Sequence, residues 1–449
     1  MLVSGFLSKR ISHWSNSQIT LLIAIAAFCC YTSMYAFRKS FTAGDYDGEM
    51  LLGMSYKVCM VITQMFGYLL SKFYGIRYIA ESTNNKRGRS LLLLVGLSWL
   101  GLLGFALAPK PWNIIFLFLN GLPLGMIWGL VFSYLEGRRH TEIMGAIMAV
   151  SLVFASGLVK TVGRILMDTL SINEYWMPFC TGLVFFLPFL LTVWLLEQVP
   201  APSTEDKACR TERVPMDKSM RSKFLKTYLP GIVLTVIIYT MLTMLRDVRD
   251  NFEIEIWHML EVKDNGIYAK VDGLIAVVVL VSLGLLILVK NNLKAFQLIH
   301  GQILIGFAIA GLSTYLFTQK SLDGTLWMIL VGLGLYMAYI PYNVIFFERM
   351  IATFRERGNI GFVMYIADSI GYLGSFSILL NKEFMPSPVG WGSYFIQLVL
   401  IASVLGVTLT IISFIYFTQK KKQHTLVSSE EVKAWSVSNN KVEIQMNIK

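Results

Sequence analysis

The sequence predicts an all-α polytopic membrane protein whose twelve transmembrane helices form two six-helix pseudo-repeats. Three observations carry that prediction. The 449 residues are 55% hydrophobic and only 15% charged, with a mean hydropathy of +0.59, a balance that soluble chains of this length do not hold. Apolar runs of about 20 residues, the length a bilayer demands, recur from end to end. Fragments of the first half also return in the second half, in the same order.

The first span, 17–43, follows Lys9 and Arg10 and superficially resembles a secretory signal. It is too long for one and ends in Arg38-Lys39 without a small-residue cleavage site, so it reads as a retained helix. Spans 52–76, 90–108, 112–135, 142–166 and 176–196 complete a first bundle, 1–196. Residues 197–226 are polar and carry Pro200, Pro202 and Pro215, which marks a cytoplasmic linker. Spans 227–247, 266–289, 296–317, 325–348, 358–380 and 393–417 form a second bundle, 227–417. Residues 418–449 turn polar after Lys420-Lys421-Lys422 and read as a cytoplasmic tail with a short amphipathic piece.

Charge placement orients the bundle. With both termini inside, the outer segments hold only Lys110, Arg249, Lys263, Lys320 and Lys382 of the 39 Lys and Arg, as the positive-inside rule requires. The expected location is a bacterial inner membrane, with both termini cytoplasmic. The net charge of +11 is spread over short segments between apolar runs, so it describes topology rather than a nucleic-acid face. The loop after span 7 is acidic, with Asp250, Glu253, Glu255, Glu261 and Asp264, and reads as an outer loop. The five cysteines show no CxxC, and neither HExxH nor a P-loop occurs. No metal, cofactor or nucleotide is expected. No acid–base or nucleophile constellation points to an enzyme.

The repeats are short. Tyr31-Thr32 with Arg38 recurs at an offset of 208 as Tyr239-Thr240 with Arg246. Gly53 and Lys57-Val58 recur at an offset of 213 as Gly266 and Lys270-Val271, and Glu136 with Arg138 parallels Glu348-Arg349. Within the predicted spans stand Arg38, Lys39, Lys57, Lys160, Arg164, Arg246 and Lys270, against only Asp272 and Asp368. A charge at membrane depth costs roughly 3 to 10 kcal/mol or more. Lys39, Lys57, Lys270 and Arg164 lie near span ends, where they either snorkel to the interface or face an anion. Ser40-Phe41-Thr42-Ala43 follows Arg38 without a breaker, which keeps that arginine deeper. Arg38 and Arg246 read as the two halves of an anion clamp, because a guanidinium fork meets two oxygens at once and stays charged when desolvated. Tyr31, Tyr35 and Tyr239 lie one or two turns earlier on similar faces, as hydroxyl donors or as packing residues.

These residues resemble a known family. Tyr35-Ala36-Phe37-Arg38-Lys39-Ser40-Phe41 resembles the helix-1 pattern Tyr-x-x-Arg-Lys-x-Phe of the organophosphate:phosphate antiporters, a branch of the Major Facilitator Superfamily. Asn120-Gly121-Leu122-Pro123-Leu124-Gly125-Met126-Ile127-Trp128 resembles that branch's helix-4 Gly-x-x-x-Gly-Met-x-Trp, and Arg246 falls at its helix-7 arginine. The resemblance implies a Major Facilitator fold with its site at the midplane between the repeats. It implies that Arg38 and Arg246 hold a phosphate at the base of the cavity, and it adds Trp128 to the substrate-lining candidates. The sequence departs from the superfamily pattern at Ser71, where its loop carries an acid, and at Phe154, near the antiporters' helix-5 histidine. It therefore reads as a divergent bacterial family of this fold. In that fold helix 5 adjoins helix 8 and helix 2 adjoins helix 11. This implies gating pairs of Lys160 or Arg164 with Asp272, and of Lys57 with Asp368; Asp368 is alternatively a proton-coupling acid.

The function expected is secondary active transport of a small organic anion, phosphorylated by preference, by a monomer in a lipid bilayer. A proton-coupled carboxylate or sugar-acid symporter and a transporter-like receptor without transport are the alternatives.

Overall fold

Helix-forming apolar sequence dominates the computed structural model. It describes residues 11, 13–81, 87–200, 202, 206, 218–354, 361–385 and 389–446; of these, 73–81, 218, 221, 361, 362, 365 and 424–446 are described at the backbone only. Half of the linker expected at 197–226 lies outside the described residues, and 218–226 belong to the helix that follows. Among the described residues twelve long helices follow one another. They are α1 (Asn16–Ala43), α2 (Tyr56–Glu81), α3 (Arg87–Leu107), α4 (Ile114–Phe132), α5 (Thr141–Leu170), α6 (Met177–Glu197), α7 (Lys218–Asn251), α8 (Ile267–Ile287), α9 (Asn292–Thr318), α10 (Gly324–Phe354), α11 (Gly361–Glu383) and α12 (Trp391–Met446). Ten of them are long and apolar enough to cross a membrane. The other two, α2 and α11, carry Lys57, Lys72 and Asp368 inside the bundle.

Local chemistry explains several boundaries. Ser15 and Gln18 form a capping box that starts α1, satisfying amide groups a helix N-terminus leaves free. Asn291 caps α9 and Asp323 caps α10 by the same logic. The last turn of α1 tightens to a 3-10 helix over Ser40–Ala43, so the chain runs on past Arg38. Two helices at equivalent places in the repeats are interrupted near a proline. α4 breaks between Leu124 and Ile127 after Pro123, and α10 passes through a π-helical turn, Tyr342–Phe346, after Pro341. A proline inside a helix lacks the amide and crowds the preceding turn. The π turn is a further local defect of this kind.

The packing order is repeated. α1 packs on α5 and α6, α2 on α4, and α3 on α4 and α6; α7 packs on α11 and α12, α8 on α10, and α9 on α10 and α12. Between the halves, α5 packs on α8 and α2 on α11. At the α5/α8 seam Gly157 allows backbones to touch: a Cβ there would stand 2.2 Å from the Tyr268 carbonyl oxygen.

One sequence expectation is corrected at the end of α7. The segment after span 7 is not a solvated loop. α7 continues to Asn251, and a short helix, Glu253–Met259, turns back with Glu253, Ile254, Ile256 and Trp257 buried. Phe252 stacks on Trp391 at 3.5 Å between ring centroids and anchors that return. At the C-terminus, the backbone of α12 continues as one helix to Met446, through most of the polar segment expected as a tail.

Substituting Gly157→Ala forces the α5/α8 seam apart and is expected to cost about 1–3 kcal/mol, the usual penalty for over-packing. Gly96→Ala, where a Cβ meets nothing within 4 Å, is expected to be neutral or stabilising. Melting of the two variants in detergent tests this; equal melting temperatures contradict it.

Candidate functional site

The candidate site begins where α1 is held. Gln64 on α2 donates to the Arg38 carbonyl, and Asn120 on α4 donates to the Phe37 carbonyl and to the Ser98 carbonyl of α3, both at 2.9 Å. Gln64 also donates to the Asn120 side chain at 2.7 Å. These groups are almost completely buried: Gln64 is 3% exposed, Asn120 and Ser98 0%. Buried amides are expensive unless bonded, so the network fixes the backbone of α1 at Phe37–Arg38. Gly121 makes this approach feasible, because a Cβ there would lie 2.4 Å from the Gln64 carbonyl. Gln64, Tyr68 and Lys72, four residues apart, then line one face of α2.

The Arg38 guanidinium lies over the Tyr68 ring at 4.0 Å and near the Tyr35 ring at 5.8 Å. Among the described residues no carboxylate pairs with it. From there a chain of contacts crosses to the other half. Tyr68 packs on Tyr372 of α11 at 5.7 Å, and Lys72 lies over Tyr372 at 4.7 Å. Lys72 pairs with Asp368 at 2.6 Å, and Tyr239 donates to Asp368 at 2.5 Å. Tyr239 stacks on Tyr339 at 5.5 Å, and Arg246 lies over Tyr339 at 4.6 Å. Tyr31 meets Trp128 edge-on at 5.0 Å beside this chain. The two arginines thus sit at opposite ends of one polar-aromatic path. Arg246 is already engaged by its neighbour Asp247, with Nε 3.0 Å and Nη2 2.5 Å from Oδ1.

Toward the predicted outer end the interior is sealed by charge. Lys39 on α1 pairs with Asp250 on α7 at 3.3 Å and hydrogen-bonds Asn251. Lys160 on α5 pairs with Glu253 at 2.8 Å and with Asp250 at 3.3 Å. Lys57 on α2 pairs with Glu255 at 2.6 Å. Tyr35 and Ser156 both donate to Asp250. Every one of these cations comes from the first half, and every carboxylate from the second. Within the second half Arg249 pairs with Asp272 at 2.8 Å. Lys39, Lys160, Arg249, Asp250, Glu253 and Asp272 have side chains no more than 5% exposed.

Above this seal, β1 (Met50–Leu51) and β2 (Met54–Ser55) form a small antiparallel hairpin. The Ser55 amide donates to Glu383 of α11 at 2.7 Å. In the loop before it, partial burial works against the Glu49 carboxylate, but hydrogen bonds from Lys110 and Tyr175 outweigh it and hold the carboxyl below its usual range. Glu174 goes the other way: burial raises it, and the Tyr46 amide offsets only part of that.

At the predicted inner end two further cross-half pairs occur, and they are wetter. Lys72 and Asp368 are 18% and 24% exposed, and Arg349 pairs with Glu142 at 2.9 Å with exposures of 11% and 38%.

Several sequence readings are corrected here. Lys57 does not meet Asp368. Lys57 opens α2 at the outer end, whereas Asp368 faces Lys72, fifteen residues or about 22 Å further along that helix. Neither Lys160 nor Arg164 pairs with Asp272. The continuation of α7 brings Arg249 to Asp272, the returning helix brings Glu253 to Lys160, and Arg164 reaches Asp45 at 2.7 Å. Tyr35 belongs to the outer seal through Asp250. Lys270 is an interface residue, 70% exposed and paired with Asp264. The apparent excess of buried positive charge is almost wholly matched, because acids expected in a loop are inside the bundle. Sequence reading missed Gln64, Tyr68, Lys72, Tyr339, Tyr372, Asp247 and Arg249. The four-residue spacing of the first three on an apolar helix was the available signal.

Two six-helix halves with the same packing order, joined through α5/α8 and α2/α11 around a central polar site, make this a protein of the major facilitator fold. Solved structures agree in fold. The chain matches the D-xylose-proton symporter with a TM-score of 0.57 at 14% identity, covering 86% of this chain and 96% of that one. It matches a bacterial homologue of the human drug peptide transporters PepT1 and PepT2 with a TM-score of 0.59 at 12% identity, covering 92% and 100%. It matches the nucleoside transporter NupG with a TM-score of 0.57 at 12% identity, covering 89% and 99%. No curated protein sequence matches the chain. Residues 40–420 match the model of a family described as "Family of unknown function (DUF5690)", and the chain belongs to that family.

Lys160→Met removes the ammonium that bonds Glu253 and one of the two that meet Asp250, and is expected to cost about 3–5 kcal/mol, the loss on removing one partner of a buried pair. Exchanging the charges, Lys160→Glu with Glu253→Lys, is expected to recover little of it, because the new carboxylate would face Asp250 and the new ammonium Arg249, whereas Arg349→Met at the wetter inner pair costs at most about 1 kcal/mol. Denaturation of the three variants beside the parent checks this; equal losses for Lys160→Met and Arg349→Met contradict it.

Proposed function

We propose that the protein is a secondary active transporter of a small organic anion, working by alternating access between the two halves. One observation carries the reading. Arg38 is buried to 8% exposure with no carboxylate partner among the described residues, while the surrounding interior cations are paired. A buried charge is costly until something matches it, and an anionic substrate is the natural match. Its backbone is locked by Gln64 and Asn120, which keeps the guanidinium placed before the ligand arrives. The likeness in fold to transporters of xylose, peptides and nucleosides supports transport.

The buried seal at one end and the wetter pairs at the other support a state closed on the predicted outer side. Transport then requires the cross-half pairs to part at one end while they form at the other. The charge asymmetry of the loops supports a bacterial inner membrane with both termini cytoplasmic. Both halves of the site lie in one chain, which supports a monomer as the working unit.

Two mechanisms compete. An antiporter of phosphorylated substrates uses both arginines as a clamp. A proton-coupled carboxylate or sugar-acid symporter uses Arg38 for the anion and the Lys72–Asp368–Tyr239 group for the coupling proton. The engagement of Arg246 by Asp247 favours the second.

Counterflow in proteoliposomes, screened with carboxylated and phosphorylated metabolites, tests transport. Arg38→Gln is expected to lower the apparent affinity for the active anion roughly 10- to 100-fold, the value of a hydrogen bond to a charged group, while the protein remains folded. Undiminished counterflow by Arg38→Gln overturns the role of Arg38, and anion binding without counterflow supports a receptor instead.

A further inference from the structure

We infer that the site accepts a singly charged anion, and that Asp247 is the residue that sets this limit. The inference rests on the anion-transport reading above and adds the valence of the substrate to it.

Charge around the tyrosine path is matched but for one cation. The cations there are Arg38, Lys72 and Arg246, and the carboxylates are Asp247 and Asp368. Lys72 is matched by Asp368 at 2.6 Å. Arg246 is matched in charge by Asp247, and each of its three nitrogens is engaged: Nε and Nη2 donate to Asp247, and Nη1 donates to the Tyr339 hydroxyl. Asp250 also lies within electrostatic range of Arg246 but is occupied by Lys39, Lys160, Tyr35 and Ser156. Arg38 is therefore the one cation of this group without a carboxylate among the described residues. One unmatched cation neutralises one negative charge.

A phosphate monoester carries nearly two charges above its second pKa, about 6. At Arg38 its second charge would face Asp368 and Asp247 with no free cation left to meet it. A carboxylate, or a phosphate ester below that pKa, leaves no such excess. Two matched arginines in the sequence imply a dianion clamp; one intervening side chain, next to the second arginine, converts the site to a monoanion site. Substituting Asp247 by the isosteric amide frees the charge of Arg246 while keeping the shape.

The experiment compares methyl phosphate with methyl sulfate, tetrahedral ions of similar size of which only the first gains a charge between pH 5 and pH 8. Apparent affinities for the full-length protein are read from thermal shifts at millimolar ion concentrations. Methyl sulfate corrects at each pH for titration of the protein itself. The expected result is comparable affinity at pH 5 and at least tenfold weaker binding of methyl phosphate than of methyl sulfate at pH 8. Asp247→Asn is expected to reduce that tenfold gap to twofold or less, or to invert it. Tighter binding of methyl phosphate than of methyl sulfate by the parent at pH 8 overturns the inference. So does an unchanged gap in an Asp247→Asn protein that melts like the parent without ions. If neither ion stabilises the parent and Arg38→Gln behaves identically, the anion-site reading itself fails, and this inference with it.

Discussion

Asp250 is the interaction on which the rest of the interior depends. It is 4% exposed and is met by two lysines, a tyrosine and a serine, all four on α1 or α5. A carboxylate carried that deep must be paired and hydrogen-bonded or lose its charge. Satisfying it draws α1 and α5 of the first half against α7 of the second. Lys160–Glu253 and Lys57–Glu255 extend the same contact, so the predicted outer end is closed as one unit with cations on one half and anions on the other.

Such pairs contribute little net stability against an apolar alternative, but they are costly to break singly. That property suits a gate better than a scaffold. The inner pairs are wetter, so solvent compensates more of each when it parts, and they oppose opening less. The two ends of the molecule therefore differ in how firmly they close, and Arg38 stands between them. Its neighbours place it by the backbone, through Gln64, Asn120 and Ser98, and by the ring of Tyr68. No carboxylate among the described residues neutralises it, which is the condition an anion site requires.

Much of the architecture was legible. Apolar run length and loop charge located the spans, and the offset of Tyr31 and Arg38 to Tyr239 and Arg246 exposed the repeat. The hypothetical pairs failed for a physical reason: hydropathy ends a span where charge begins, and here the charges continue inside. Arg249, Asp250, Glu253 and Glu255 look like loop residues because their polarity is visible in sequence and their burial is not. The same blindness made the interior look more cationic than it is. Asp247 was hidden beside the arginine it neutralises, since adjacency in sequence says nothing about which way two side chains turn. Asn120 opens a motif that was read for its glycines and tryptophan, and Gln64 lies in an apolar run where a lone amide gives no sign of its partners.

On the reading proposed above, buried cross-half ion pairs hold the predicted outer end shut. The distance between spin labels at Asp47 and Lys263, exposed loop positions on opposite halves, tests it most directly in a cysteine-free background. The account predicts one short distance population for the parent in nanodiscs and an additional longer population for Asp250→Asn. A distribution unchanged by Asp250→Asn, in a protein that remains folded, would contradict it.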